Sequence, residues 1–165
     1  MRSPRGELEL WFHDAAGTVG TWRGVLLQCR RGALDPRIFP RAEEYARDAQ
    51  RRGAPIALLA LLEPGAPLPS QELRRAQREQ VDRWASYERA RIAAVVLGDD
   101  VASTLSRSAS RMIGVASPRI ERFAELPKAS TWLAQELTAL GAPRPFRASE
   151  LLATIEDLRR TPVPE

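Results

Sequence analysis

Apolar residues recur along this chain in two alternating rhythms. Residues 7–13 (ELELWFH) and 21–28 (TWRGVLLQ) follow a period of two and predict strands. The turn-rich segment 14–20 (DAAGTVG) between them predicts a hairpin connection. In the first strand Leu8, Leu10 and Phe12 are expected on one face and Trp11 on the other. From Asp35-Pro36 to about Arg52 the rhythm becomes helical, with Ile38, Phe39, Ala42, Tyr45, Ala46 and Ala49 in one stripe and Gly53 placed to end it. Pro40 is awkward inside a helix, so the regular part is expected to begin at Phe39 or Pro40.

Residues 56–62 (IALLALL) and 92–97 (IAAVVL) are short, continuous apolar runs closed by turn residues, the pattern of strands buried on both faces. Between them a proline-rich loop leads to Ser70, which is placed to N-cap a helix over 71–89 carrying Leu73, Ala76, Val81, Trp84 and Ala85. A helix over 101–116 is expected after Gly98-Asp99-Asp100, then an edge strand over 119–124. A helix over 127–140 and a last helix over 149–160 complete the reading, the last with Leu151, Leu152, Ile155 and Leu158 on one stripe. The alternation predicts an α/β fold: a four- to five-stranded mixed sheet with an N-terminal β-hairpin and crossover helices, plus an extra C-terminal helix. A single domain over 1–140 is expected, with 141–165 as linker, appended helix and frayed tail.

Composition narrows the function classes. With 165 residues, 44% hydrophobic and 28% charged, the chain is ordinary globular material and can bury a core. Its net charge of +4 comes from 25 basic and 21 acidic residues. Apart from Lys128 every base is arginine, which lifts the isoelectric point without a strong field at neutral pH. Bases and acids are interleaved, as in Arg41-Ala-Glu-Glu-Tyr-Ala-Arg47, so no nucleic-acid footprint is expected. No apolar stretch reaches the length of a membrane span. One cysteine, Cys29, excludes an internal disulfide, and one histidine, His13, excludes sites that need two. A cytoplasmic setting is the expectation.

The order of elements and the segment Arg119-Ile-Glu-Arg-Phe-Ala-Glu-Leu-Pro-Lys-Ala-Ser-Thr-Trp-Leu133 resemble the closing pattern of STAS-type domains, the fold of bacterial anti-sigma-factor antagonists and SpoIIAA-like proteins. Arg111, in a small-residue helix, adds to the likeness, which runs over about residues 7–140. It implies a non-enzymatic regulatory or protein-interaction domain with a protein partner. A small-ligand or lipid-binding domain is the alternative. Family antagonists carry a phosphorylated serine in an Asp-Ser motif after the third strand. Here the stretch reads Glu63-Pro-Gly-Ala-Pro-Leu-Pro-Ser70, with a serine at the helix start but no Asp-Ser pair.

Several residues invite chemistry. Ser70, with Ser103, Ser106, Ser108, Ser110, Arg107 and Arg111, forms the expected interaction or phosphorylation surface, since a phosphate there could pair with an arginine. Asp99 and Asp100 follow a buried strand, where α/β folds place ligands, but N-capping explains them more simply. They and Cys29 are the residues an enzymatic reading would use. His13 and Asp14 are adjacent on a strand, so they point to opposite faces and do not form a dyad. No glycine-rich phosphate loop and no metal-ligand spacing occurs, so no cofactor is expected. A homo-oligomer is conceivable if an edge strand or the last helix pairs outside the chain.

Overall fold

The computed structural model describes residues 7–99 and 117–162. The expected hairpin is a three-stranded antiparallel meander: β1 (Leu8–Asp14), β2 (Gly17–Trp22) and β3 (Val25–Arg30). The segment 14–20, expected as the hairpin connection, thus holds most of a strand, which runs between two tight turns. At the first, Asp14 Oδ1 accepts from the amides of Ala16 and Gly17 at 2.9 and 3.2 Å. At the second, Arg23 and Gly24 both have positive φ, 47° and 83°, as a two-residue type I′ connection requires. Glycine and threonine hide β2 from a propensity reading. It forms because flanking strands satisfy both of its edges.

β1 carries a β-bulge: Leu10 pairs with Gly20 and Phe12 with Val19, leaving Trp11 as the extra residue. Gly20 permits it, because a Cβ there would press into the Glu9 carbonyl oxygen. The extra residue breaks the alternation. Trp11 and Phe12 both pack against one core cluster, while Leu8 packs against the other. Phe12 is therefore not on the face of Leu8 and Leu10 as simple alternation expects.

The rest of the sheet is built by crossovers through α1 (Ile38–Arg51), β4 (Ile56–Leu62), α2 (Gln71–Ala85), β5 (Ala90–Val96) and β6 (Ile120–Phe123). The strand order β1-β2-β3-β4-β5-β6 follows the chain, and β3 to β6 are parallel. The two apolar runs lie side by side at the centre, from Ile56 opposite Ala90 to Leu62 opposite Val96. Pro40 falls in the first turn of α1, where its missing amide has no intrahelical partner to lose. Gly53, with φ 63°, lies just past the helix end. α2 stops at Ala85, short of the expected Arg89, and Ser86 Oγ donates to the Arg83 carbonyl at 2.6 Å.

Helices cover both faces, making three layers. Ala42, Ala46 and Ala49 of α1 and Val81 and Trp84 of α2 meet Leu26, Leu58 and Ile92 on one face. On the other, α3 (Leu126–Ala139) and α4 (Ala148–Arg160) meet Val25, Leu27, Leu59, Leu61, Ala93 and Val95. The segment expected as linker and appended helix contributes Phe146, Leu151, Ile155 and Leu158 to this same core. At about 25 cal/mol per Å² of apolar surface removed from water, each such leucine or isoleucine contributes roughly 2 kcal/mol.

Candidate interaction site

The carboxyl ends of parallel strands are the usual place for ligands in open α/β sheets, in the crevice made where strand order reverses. Here the order never reverses, so β3, β4 and β5 end without that crevice. Charged and polar side chains gather there instead to fasten α4. Arg159 reaches Glu63 with Nε–Oε1 2.5 Å and Nη2–Oε2 3.0 Å, and also pairs with Glu156 at 3.1 Å. Arg31 donates to the carbonyls of Leu158 and Arg159, both at 3.0 Å, placing a cation on the negative end of α4.

Cys29 is buried beneath this network, with Sγ 3.6 Å from Glu63 Oε1. Burial, and next the Glu63 carboxylate, push its thiol up to about 12. At neutral pH it is a protonated core residue, not a nucleophile. His13 and Asp14 do not bond to one another. His13 Nε2 lies 2.8 Å from the Pro162 carbonyl oxygen, which only accepts, so this nitrogen carries the hydrogen. Nδ1 then accepts from the Thr18 hydroxyl at 2.8 Å. This resembles a hydroxyl and its base, but Thr18 is 0% exposed and Arg31 also approaches its oxygen at 3.4 Å. No substrate reaches it.

Of the residues singled out in the sequence, Ser70 is exposed and caps α2, its Oγ accepting from the Leu73 amide at 3.2 Å. Asp99 is exposed at the end of β5. Asp100, Ser103, Ser106, Arg107, Ser108, Ser110 and Arg111 lie outside the described residues, as does the helix expected over 101–116. Among the described residues no group of three or more His, Cys, Asp or Glu side chains is placed to hold a metal ion. No helix among them is long and apolar enough to cross a membrane.

An open site lies on the other side of the fold, where the β1–β2 ribbon runs out beside α1. A cleft of about 410 Å³ is lined by Glu9 and Trp11 of β1, Thr21 and Arg23 of the hairpin, and Arg41, Tyr45 and Asp48 of α1. The guanidinium of Arg41 sits 5.0 Å from the Trp11 ring centre, and that of Arg37 sits 5.3 Å from Phe12. Arg37, at the N-cap of α1, and Arg41, in its first turn, are one turn apart, an i, i+4 spacing that the sequence displays. The aromatics they cover are identifiable only once the bulge is known. Tyr45 forms part of the wall. Its hydroxyl accepts from the Ala57 amide at 3.0 Å and lies 2.7 Å from the Gly24 carbonyl, tying the turn before β3 to β4. Burial pushes this phenol up to about 12.

β1 is one of the two edge strands of the sheet, and its Leu10, 45% exposed, is the only exposed large hydrophobic side chain among the described residues. An edge strand presents backbone amides and carbonyls that another chain can pair with. The arrangement can recruit an extended segment along β1, with one face of that segment over the cleft. No family model, no curated protein and no solved structure matches this chain.

Proposed function

We propose that this chain is a non-enzymatic, regulatory protein-interaction domain that engages its partner along β1. One observation carries the reading: at the usual catalytic end Arg31, Glu63 and Arg159 are engaged in fastening α4, while on the edge strand β1 Leu10 is exposed beside the aromatic-lined cleft. The buried, protonated Cys29 supports it, since it removes the thiol from the residues that an enzymatic reading through Asp99, Asp100 or Cys29 would use. The resemblance to STAS-type antagonists points the same way. In that setting exposed Ser70 is the position for a phosphate, whose charge the positive end of α2 would favour. A single unpaired cysteine in the core fits a reducing cytoplasm.

A second reading, a small-ligand domain, is favoured by the cleft, whose volume falls within the roughly 300–1,000 Å³ of ligand pockets. The interaction reading is tested by placing a photo-crosslinking side chain at position 10 in host cells, with exposed Gln50 on α1 as the control position. A discrete protein adduct from position 10 and none from position 50 is expected. Equal smears from both, or no adduct at all, sink it.

A further inference from the structure

We infer that the partner fitting β1 is a second copy of this chain, paired edge to edge in one antiparallel register about a two-fold axis through Leu10. The inference rests on the proposal that β1 is the docking edge, and it adds the identity of the occupant.

The register follows from faces and charges. A two-fold axis normal to the sheet is the operator that pairs a strand with an antiparallel copy of itself and keeps the faces continuous. Side chains directly opposite must then share a face, so the axis passes through a residue rather than between two. Glu9 meets Arg41 of α1 at 3.3 Å and lines the cleft, which puts it on the α1 face. Leu8 packs with the α3 and α4 core, and Leu10, two residues on, shares that face. Trp11 and, because of the bulge, Phe12 are on the α1 face.

Three axis positions can then be compared. An axis through Glu9 sets two like charges directly opposite, which is destabilising. An axis through Trp11 sets Leu10 against the partner's Phe12, which the bulge has turned to the opposite face. An axis through Leu10 meets neither obstacle. It buries the exposed leucine against the partner's Leu10 and sets Glu9 opposite the partner's Trp11, on which the partner's Arg41 is stacked. Within one chain the Glu9–Arg41 pair is loose, with side chains 70% and 44% exposed, so both groups are free to share charge across the axis. The bulge confines the ladder to Glu9, Leu10 and Trp11 of each strand, so the dimer is weak and concentration-dependent.

The single native cysteine is buried, so a thiol introduced at the surface can be followed alone. Leu10→Cys places a thiol on the axis at a position that packs in neither core cluster. Under copper-catalysed oxidation by dissolved oxygen it is expected to form a covalent dimer about tenfold faster than Gln50→Cys at equal concentration. Glu9→Arg is expected to weaken the wild-type dimer about tenfold in sedimentation equilibrium, and Glu9→Arg with Arg41→Glu to restore it. A wild-type chain that stays monomeric to about 1 mM, or a Leu10→Cys thiol that oxidises no faster than the control, overturns the dimer. Rapid oxidation without charge-swap rescue overturns the register. If the purified chain is monomeric but position 10 crosslinks in cells to a different protein, the dimer falls while the docking edge stands. If neither occurs, both fall.

Discussion

Alkaline pH should weaken this fold through Cys29. Its thiol has an ordinary value of 9.0 and is pushed up to about 12 in the folded chain by burial and by the Glu63 carboxylate 3.6 Å away. A raised folded value means that the folded chain holds its proton more tightly than the unfolded chain does. The stabilisation is therefore complete below pH 9 and is lost as pH rises from 9 towards about 12. Between pH 8 and pH 10 the loss is about 1.4 kcal/mol, one pH unit of difference in bound protons. Tyr45, raised from 10.0 to about 12, begins to contribute only near the top of that interval, by about 0.4 kcal/mol. Urea unfolding under reducing conditions at pH 8, 9 and 10 would read the combined loss as a fall in midpoint of about 0.9 M, about 0.7 M of it from Cys29, for a slope near 2 kcal/mol/M. Cys29→Ala should be less stable at pH 8, by about 1 kcal/mol for its lost sulfur, yet its midpoint should fall far less with pH. Parallel pH profiles for the two proteins would refute the reasoning. So would a native thiol that reacts with a disulfide reagent at the rate of a free cysteine.

Further expectations concern the ties between elements. Leu59→Ala, at a fully buried position in β4, should cost about 2–5 kcal/mol in urea unfolding. Gly20→Ala should separate β1 from β2 at the bulge, seen as faster amide exchange in residues 8–12 while β4 and β5 keep their protection. Arg31→Ala removes the cation from the end of α4 and should cost about 1–2 kcal/mol, with amide exchange rising in residues 155–160. Ser70→Ala should cost about 1 kcal/mol through the lost cap alone, with no change in β1 exchange.

The central strands were legible because they are buried on both faces, so IALLALL and IAAVVL are apolar without interruption and need no partner to be recognised. Ser70 and Gly53 were legible because capping chemistry is local. β2 was not, since its glycines and threonines have meaning only against neighbouring backbones. The bulge at Trp11 was hidden for the same reason: one extra residue in β1 is defined only by the count in β2. The α4 fastening joins Glu63 to Arg159 and Arg31 to the carbonyls of Leu158 and Arg159, across long stretches of chain with no shared periodicity. The expected serine and arginine surface over 103–111 falls outside the described residues.

The unreversed strand order has a consequence for biosynthesis. A sheet that grows one strand at a time from a single edge can assemble as the chain leaves the ribosome, each new β-α unit docking on the last. The second face is different, because its cover comes late: α3 and α4 follow all six strands, and α4 returns to β3, among the first strands made. Until residues 148–160 emerge, Val25, Leu27 and Cys29 lack their lid. A nascent chain stalled before residue 148 would present that apolar strip to chaperones and to other half-made copies, making emergence of α4 the step that closes this face.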